Sequence, residues 1–253
     1  MMRLETRPPV AKLVLIPVLV AAFETAVFLY LSRTHVRSLT QDFIEKDQLL
    51  TPYQLGSALQ RHLVIVGIAF GITVLIGLPL AVALFRSGRT VRVPTLALAS
   101  LGQAVPSVAV LIYVSIWLGL GLGPTVLALV VYALLPVLRN TIVGLEGVDA
   151  AAVEAARGMG MTDLQTLVRV QLPLASPIIM AGLRTSLVLV VGTATLATFV
   201  GGGGLGDIIS EGIGASPLIA PRVVLAGAAM AAGLALVCDW AMSLIALAVV
   251  PRT

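Results

Sequence analysis

Glu154–Pro173, EAARGMGMTDLQTLVRVQLP, is a run between apolar segments that cannot itself sit in hydrocarbon. It holds Glu154, Arg157, Asp163, Gln165, Arg169 and Gln171, and strongly apolar segments flank it on both sides. Its local chemistry predicts two short helices joined by a glycine turn. Asp149 is placed to cap the first, and the alanines at 150–152, 155 and 156 favour helix. Gly158 and Gly160 break it. Thr162 then opens a capping box with Gln165 three residues on, and Pro173 predicts the end of the second helix.

The flanks decide the class. The chain is 58% hydrophobic and 11% charged, with a mean hydropathy of +1.06. Soluble domains lie near half apolar and a quarter charged, so this composition predicts a polytopic membrane protein. Aromatics are few while glycine and alanine are plentiful, which suits close helix packing in lipid. The net charge of +4 is therefore a matter of topology and not a nucleic-acid footprint. The lone Cys238 excludes an internal disulfide and reads as a small buried residue.

Arg3, Arg7 and Lys12 precede an apolar run at Leu13–Leu31. The run is long and LSRTHV offers no small-x-small cleavage site, so it reads as a retained first span and not a signal peptide. Ser32–Arg61 is polar, and Thr51-Pro52 predicts a short surface helix at its end. Leu63–Phe85 is the second span, bent or broken at Pro79, and Arg86–Arg92 a compact basic loop. Spans near Thr95–Leu118 and Pro124–Ile142 follow, interrupted at Pro106 and Pro136. The fifth runs roughly Pro177–Val200 and the sixth lies within Pro221–Val250. That last run would be about 45 Å long against a core of about 30 Å, so it tilts or projects.

Six spans put both termini on one side. If that side is the cytoplasm, eleven of the sixteen Lys/Arg are inside, including Arg86, Arg89, Arg92, Arg139, Arg157, Arg169, Arg184 and Arg252. Arg33, Arg37, Lys46, Arg61 and Arg222 are outside. The short basic loop is the cleanest evidence under the positive-inside rule. The same orientation puts Glu154–Pro173 in the cytoplasm.

Glu154-Ala155-Ala156, then Gly160, Val170 and Leu172-Pro173 at their spacing, resemble the EAA loop of ABC importer permeases, which usually has Ile where Val170 stands. Tyr132–Thr141 (YALLPVLRNT), Gly144–Asp149, Gln103–Ser107 (QAVPS) and Thr198–Asp207 (TFVGGGGLGD) resemble the permeases for glycine betaine, carnitine, choline and related osmoprotectants. The glycine stretch is shared with methionine importers, whereas EAARGMGMT with LLPVLRNT favours the osmoprotectant branch. The match covers roughly residues 55–250. It implies an all-α polytopic membrane protein of about six transmembrane helices, with the MetI-like permease fold of type I ABC importers. Residues 1–62 would form an N-terminal span and external polar segment. Residues 63–253 would form the permease core, with a cytoplasmic coupling loop at about 149–173.

The resemblance further implies that the chain catalyses nothing and binds no cofactor. ATP and Mg belong to a cytoplasmic ABC ATPase dimer, which docks on the loop through Glu154, Ala155, Ala156, Gly160, Leu172 and Pro173. A second permease chain, identical or paralogous, and an extracytoplasmic substrate-binding protein complete the machine in the bacterial plasma membrane. Ala155 and Ala156 would allow close approach to a partner groove, and Glu154 would pair with a basic group there or neutralise a helix terminus. Leu164, Leu167 and Val168 are expected to anchor the second helix on the membrane domain.

Pro106, Ser107, Gly201, Gly202, Gly203, Gly204 and Asp207 are gate or translocation candidates. No lysine–serine pair follows the glycines, so they read as a hinge or re-entrant gate and not a phosphate loop. Asp207 and Glu211 are a solvated outer loop, or contacts for a binding protein or a cation. Glu24 and Asp239 lie inside spans, where carboxylates are costly. Asp239 can pair with Arg184, and a transport role for either carboxylate stays open. Phe70, Tyr113, Trp117, Tyr132, Phe199 and Trp240 compel no aromatic cage, and His35 and His62 are too separated for a metal site. The rivals are the same machine for methionine or a similar solute, an ion-coupled secondary transporter, and an intramembrane enzyme using Glu24, Asp239 or Ser107.

Overall fold

A computed structural model of the chain describes residues 10–33, 51–215 and 220–250. The polar segment 34–50 and the charges Arg3, Arg7, Arg37, Lys46 and Arg252 lie outside the described residues, as does His35. Every regular element among the described residues is helical. In order they are α1 (Val10–Arg33), α2 (Pro52–Arg86), α3 (Arg89–Ala104), α4 (Ser107–Leu118), α5 (Leu122–Glu146), α6 (Ala150–Gly158) and α7 (Asp163–Thr166). A π-turn at Leu167–Gln171 leads into α8 (Leu172–Ala194), and a 3-10 segment at Thr195–Val200 follows. The last two are α9 (Leu205–Gly214) and α10 (Ala220–Val249).

Tyr53–Arg86, Leu122–Glu146, Asp163–Val200 and Ala220–Val249 are each long and apolar enough to cross a membrane. The pair α3–α4, bent by 97°, makes a fifth if it crosses as one span. With α1, which carries the shorter apolar stretch Leu15–Ala26 and packs on α10, this agrees with a span count of about six. The core is built on α5 and α8, whose apolar windows are the most buried, with α2 against both. Gly182 makes the α5–α8 crossing close: a Cβ there would lie 2.9 Å from the Pro136 carbonyl oxygen. Ser186 Oγ donates to Ala133 O at 2.9 Å across the same crossing.

Several local expectations are corrected. Thr51 does cap a helix with Pro52 in its first turn, but that helix continues unbroken into the second span. No breaker intervenes before Pro79, and Pro79 lies within the helix. The basic loop shrinks to Ser87-Gly88, since Arg89 already begins α3. Arg92 then pairs with Glu146 at 2.7 Å, joining α3 to the end of α5.

The prolines depart furthest from their local reading. Pro136 does not interrupt α5. A helical proline leaves the carbonyl four residues back without a donor, and here Gln103 Nε2 donates to that carbonyl, Tyr132 O, at 2.7 Å. Tyr132 Oη in turn donates to Val105 O at the α3–α4 break, so two of the sequence motifs meet there. Pro177 follows the same rule: its orphan acceptor, Pro173 O, takes the Ser176 hydroxyl at 2.7 Å. Pro173 does not end the second loop helix either. The chain widens into the π-turn, where Leu172 N–H donates to Leu167 O five residues back, and runs on as α8. At Pro106 the break is real, because the chain turns with no helical residue between Ala104 and Ser107.

Candidate functional site

Two features lie at opposite ends of α8, separated by its 23 residues or about 35 Å of helix. The first is the polar hairpin α6–α7. Asp149 Oδ1 accepts the Ala151 N–H at 2.9 Å and starts α6. Gly160 N–H donates to Arg157 O at 2.9 Å and Met161 N–H to Ala156 O at 3.2 Å, the paired bonds of a Schellman stop. Gly160 sits at φ +83°, the left-handed position this stop requires. Thr162 and Gln165 form the reciprocal capping box that starts α7. Arg157 bridges to Asp163 at 3.2 Å across the turn, an exposed pair that contributes little.

Glu154 and Ala155 face outward. Ala156 is buried and faces inward, so it packs the hairpin and is not available for close approach from outside. Of the three expected anchors only Leu167 is buried, in a cluster with Leu145, Ala175 and Ile179. Leu164 is 61% exposed and Val168 52%, and Met159 on the turn is 71% exposed. The expectation of a tethering face is therefore corrected: these residues form an apolar face turned away from the bundle. Leu172 packs against the Leu167 cluster, which makes Leu172-Pro173 the root of the hairpin.

The second feature is the glycine segment, Gly201–Gly204. Gly201, Gly203 and Gly204 have φ of +71°, +82° and +104°. Gly202 is held against Thr125, whose hydroxyl would be 2.5 Å from a Cβ there. Two adjacent residues of α2 grip the segment. Arg61 Nε donates to Gly202 O at 3.0 Å. His62, with no accessible surface, accepts the Leu205 N–H on Nδ1 at 3.4 Å and so carries its proton on Nε2, which donates to Val191 O at 3.1 Å. Val191 O needs that donor because Thr195 N–H turns back to Gly192 O as the helix tightens to 3-10.

Asp207 lies beside Gly203, on the first turn of α9, and belongs to this site. Pro106 and Ser107 do not. The middle of α4 packs on the 3-10 segment, through Leu111 and Val114 on Val200 and Leu196, and beyond its C-terminal end Gly121 N–H donates to Val200 O at 2.8 Å. Pro106 and Ser107 stand at the opposite, N-terminal end of α4. Arg61 and His62 were missed as partners of the glycines. The available signal was a basic pair at the head of an apolar span, and the sequence alone weighs His62 only against a metal site. His62→Leu is expected to leave two buried backbone groups unpaired at about 1–3 kcal/mol each, read as a lower midpoint of thermal unfolding in detergent, with His62→Gln intermediate.

Residues 73–250 match the family model for the inner membrane component of binding-protein-dependent transport systems. The chain belongs to this family. The permease is 40% identical over 192 residues to the carnitine transport permease protein OpuCB of Listeria monocytogenes, covering 76% of this chain and 86% of the relative. It is 39% identical over 192 residues to the glycine betaine/carnitine/choline transport system permease protein OpuCB of Bacillus subtilis, covering 76% and 87%. With the osmoprotectant import permease protein OsmW of Salmonella typhimurium it shares 36% over 203 residues, covering 78% and 93%. The permease thus groups with the osmoprotectant branch of ABC permeases and is a transport subunit. Among solved structures, the inward-facing MetNI methionine ABC transporter matches with a TM-score of 0.70 at 24% identity, over 80% of this chain and 100% of that one. That likeness establishes the fold.

Proposed function

We propose that the chain is the membrane-spanning subunit of an ATP-driven importer that carries a quaternary-amine osmoprotectant, of the glycine betaine, carnitine or choline kind, by alternating access. The observation that carries the coupling role is the outward face of α6–α7. Glu154 and Ala155 with Met159, Leu164 and Val168 offer a carboxylate, a small residue and an apolar strip outside the membrane helices. An apolar strip on a water-facing hairpin calls for a protein partner. A cytoplasmic ABC ATPase dimer is that partner, and it supplies the ATP and Mg chemistry. Gly160 holds the hairpin's turn, while Ala156, Leu172 and Pro173 fix the hairpin to the bundle.

A second permease chain, identical or paralogous, and an extracytoplasmic binding protein complete the transporter. Residues 63–253 serve as the core, with the coupling loop at about 149–173, behind an N-terminal span and external segment at 1–62. The charge distribution supports both termini in the cytoplasm and a bacterial plasma-membrane location. The glycine segment, at the other end of α8, serves as the outer gate. The substrate class rests on the names of the relatives.

Reconstitution in proteoliposomes with the ATPase and binding protein tests this. Uptake of labelled glycine betaine, carnitine or choline is expected only with ATP inside and loaded binding protein outside. Import driven by an ion gradient without ATP would refute the coupling, and methionine uptake with none of the three amines would refute the substrate class.

A further inference from the structure

A cavity of about 310 Å³ lies against the glycine segment. Gln54, Ser57 and Arg61 of α2 form one wall, Gly204 the floor, and Asp207 and Glu211 of α9 the other wall. The spacings explain the convergence. Positions 54, 57 and 61 share one face of α2, and 207 and 211, four apart, share one face of α9.

Its lining holds one guanidinium and two carboxylates. Among the described residues, neither Asp207 nor Glu211 forms an ion pair, and Arg61 uses only its Nε, on Gly202 O. Two carboxylates four residues apart on one helix repel unless a cation lies between them. A guanidinium beside them presents its free N–H groups to an acceptor of carboxylate shape. The cavity therefore offers one anion position and one cation position, with Arg61 Nε and Asp207 Oδ2 both within 4 Å of where a Cβ on Gly203 would stand. Its volume is at the lower end of the range for small-molecule sites.

We propose that this cavity binds a small zwitterion, its carboxylate on Arg61 and its ammonium group between Asp207 and Glu211, as a transit site beside the outer gate. The proposal rests on the permease reading above. The charge count sets the specificity. A free anion meets a net negative wall, and a cation without a carboxylate leaves Arg61 unpaired, so a betaine is held better than choline. Among the described residues no aromatic ring lines the cavity, so a quaternary ammonium gains no cation–π stabilisation from them and binding is weak. Weak binding is what a site that must release its occupant onward needs.

The test uses the permease–ATPase complex in nanodiscs without binding protein, measuring equilibrium binding of labelled glycine betaine and labelled choline. Wild type is expected to bind betaine saturably and about tenfold more tightly than choline, one charge-assisted contact's worth. Arg61→Gln should erase that preference and Arg61→Lys keep most of it, which separates lost charge from misfolding. Asp207→Asn with Glu211→Gln should weaken both solutes about tenfold. Absence of saturable betaine binding, equal affinity for the two solutes in wild type, or unchanged affinity in the double variant overturns the proposal. Uptake by the complete transporter distinguishes the failures. Import of betaine without binding at the cavity overturns the cavity alone, and import of neither solute overturns the substrate reading together with it.

Discussion

Gly160→Val leaves the permease inserted in the membrane and abolishes transport-coupled ATP hydrolysis. A Cβ at this position meets no atom within 4 Å, so crowding plays no part in the expectation. The cause is the backbone. Gly160 stands at φ +83°, where a β-branched residue is strained by about 1–3 kcal/mol. Relieving that strain breaks the bonds from Gly160 N–H to Arg157 O and from Met161 N–H to Ala156 O, which end α6. The hairpin then no longer holds Glu154 and Met159 in fixed relation to Leu164 and Val168. The bundle does not depend on this turn, because α8 is rooted through Leu167 and Leu172 in the cluster with Leu145, Ala175 and Ile179. Asparagine tolerates the left-handed region better than other side chains, so Gly160→Asn should retain partial coupling. The readout is binding-protein-stimulated ATPase activity beside uptake in proteoliposomes. Full coupling in Gly160→Val would remove the case for this hairpin as the transmission element.

Asp239→Ala and Arg184→Ala should each destabilise the permease strongly, and charge reversal of both together should restore most of the loss. The guanidinium of Arg184, on α8, donates through Nε and Nη2 to both carboxylate oxygens of Asp239, on α10. Removing one partner strands a charge midway along a membrane helix, at a cost of about 2.5–3.5 kcal/mol on insertion scales. The expected observation is a lower yield and a lower unfolding midpoint for each single variant, with recovery in Arg184→Asp/Asp239→Arg. Single variants that unfold at the wild-type temperature would show that the pair does not stabilise the α8–α10 contact. Neutralising both residues with Arg184→Met/Asp239→Leu separates structure from transport: unchanged uptake in a stable double variant assigns the pair to packing. Glu24 has a different setting. Its carboxyl lies over Gly233 of α10, in the space a Cβ would fill, so the glycine makes room for it between α1 and α10.

The local stops and starts of the polar hairpin were legible because each depends on residues a few positions apart. Asp149 on Ala151, Thr162 with Gln165, and the turn at Gly160 all formed as their sequence pattern predicts. The Arg184–Asp239 pair was legible for another reason. Two opposite charges in apolar helices have few places to go, and each is the other's cheapest partner.

What could not be read locally was the fate of the prolines and the direction of side chains. Pro136 breaks a helix by the local rule. Gln103, 33 positions earlier, satisfies the Tyr132 carbonyl that Pro136 orphans. Pro173 likewise runs into α8, directly after a wider turn that Leu172 N–H closes on Leu167 O. The helical pattern made Ala156 look available and Leu164 look anchored, and only the packing shows the alanine turned in and the leucine turned out.

The sequence by itself determined the membrane class, the location of the polar hairpin and the family, because hydrophobic length, caps and motif spacing act over a few turns of chain. The tertiary structure decided which prolines interrupt a helix, which residues of the Glu154–Pro173 stretch face outward, and that Arg61 and His62 hold the glycine segment. Those contacts join residues up to 143 positions apart. Their partners exist only once α2, α5 and α8 have packed, and no local pattern encodes them.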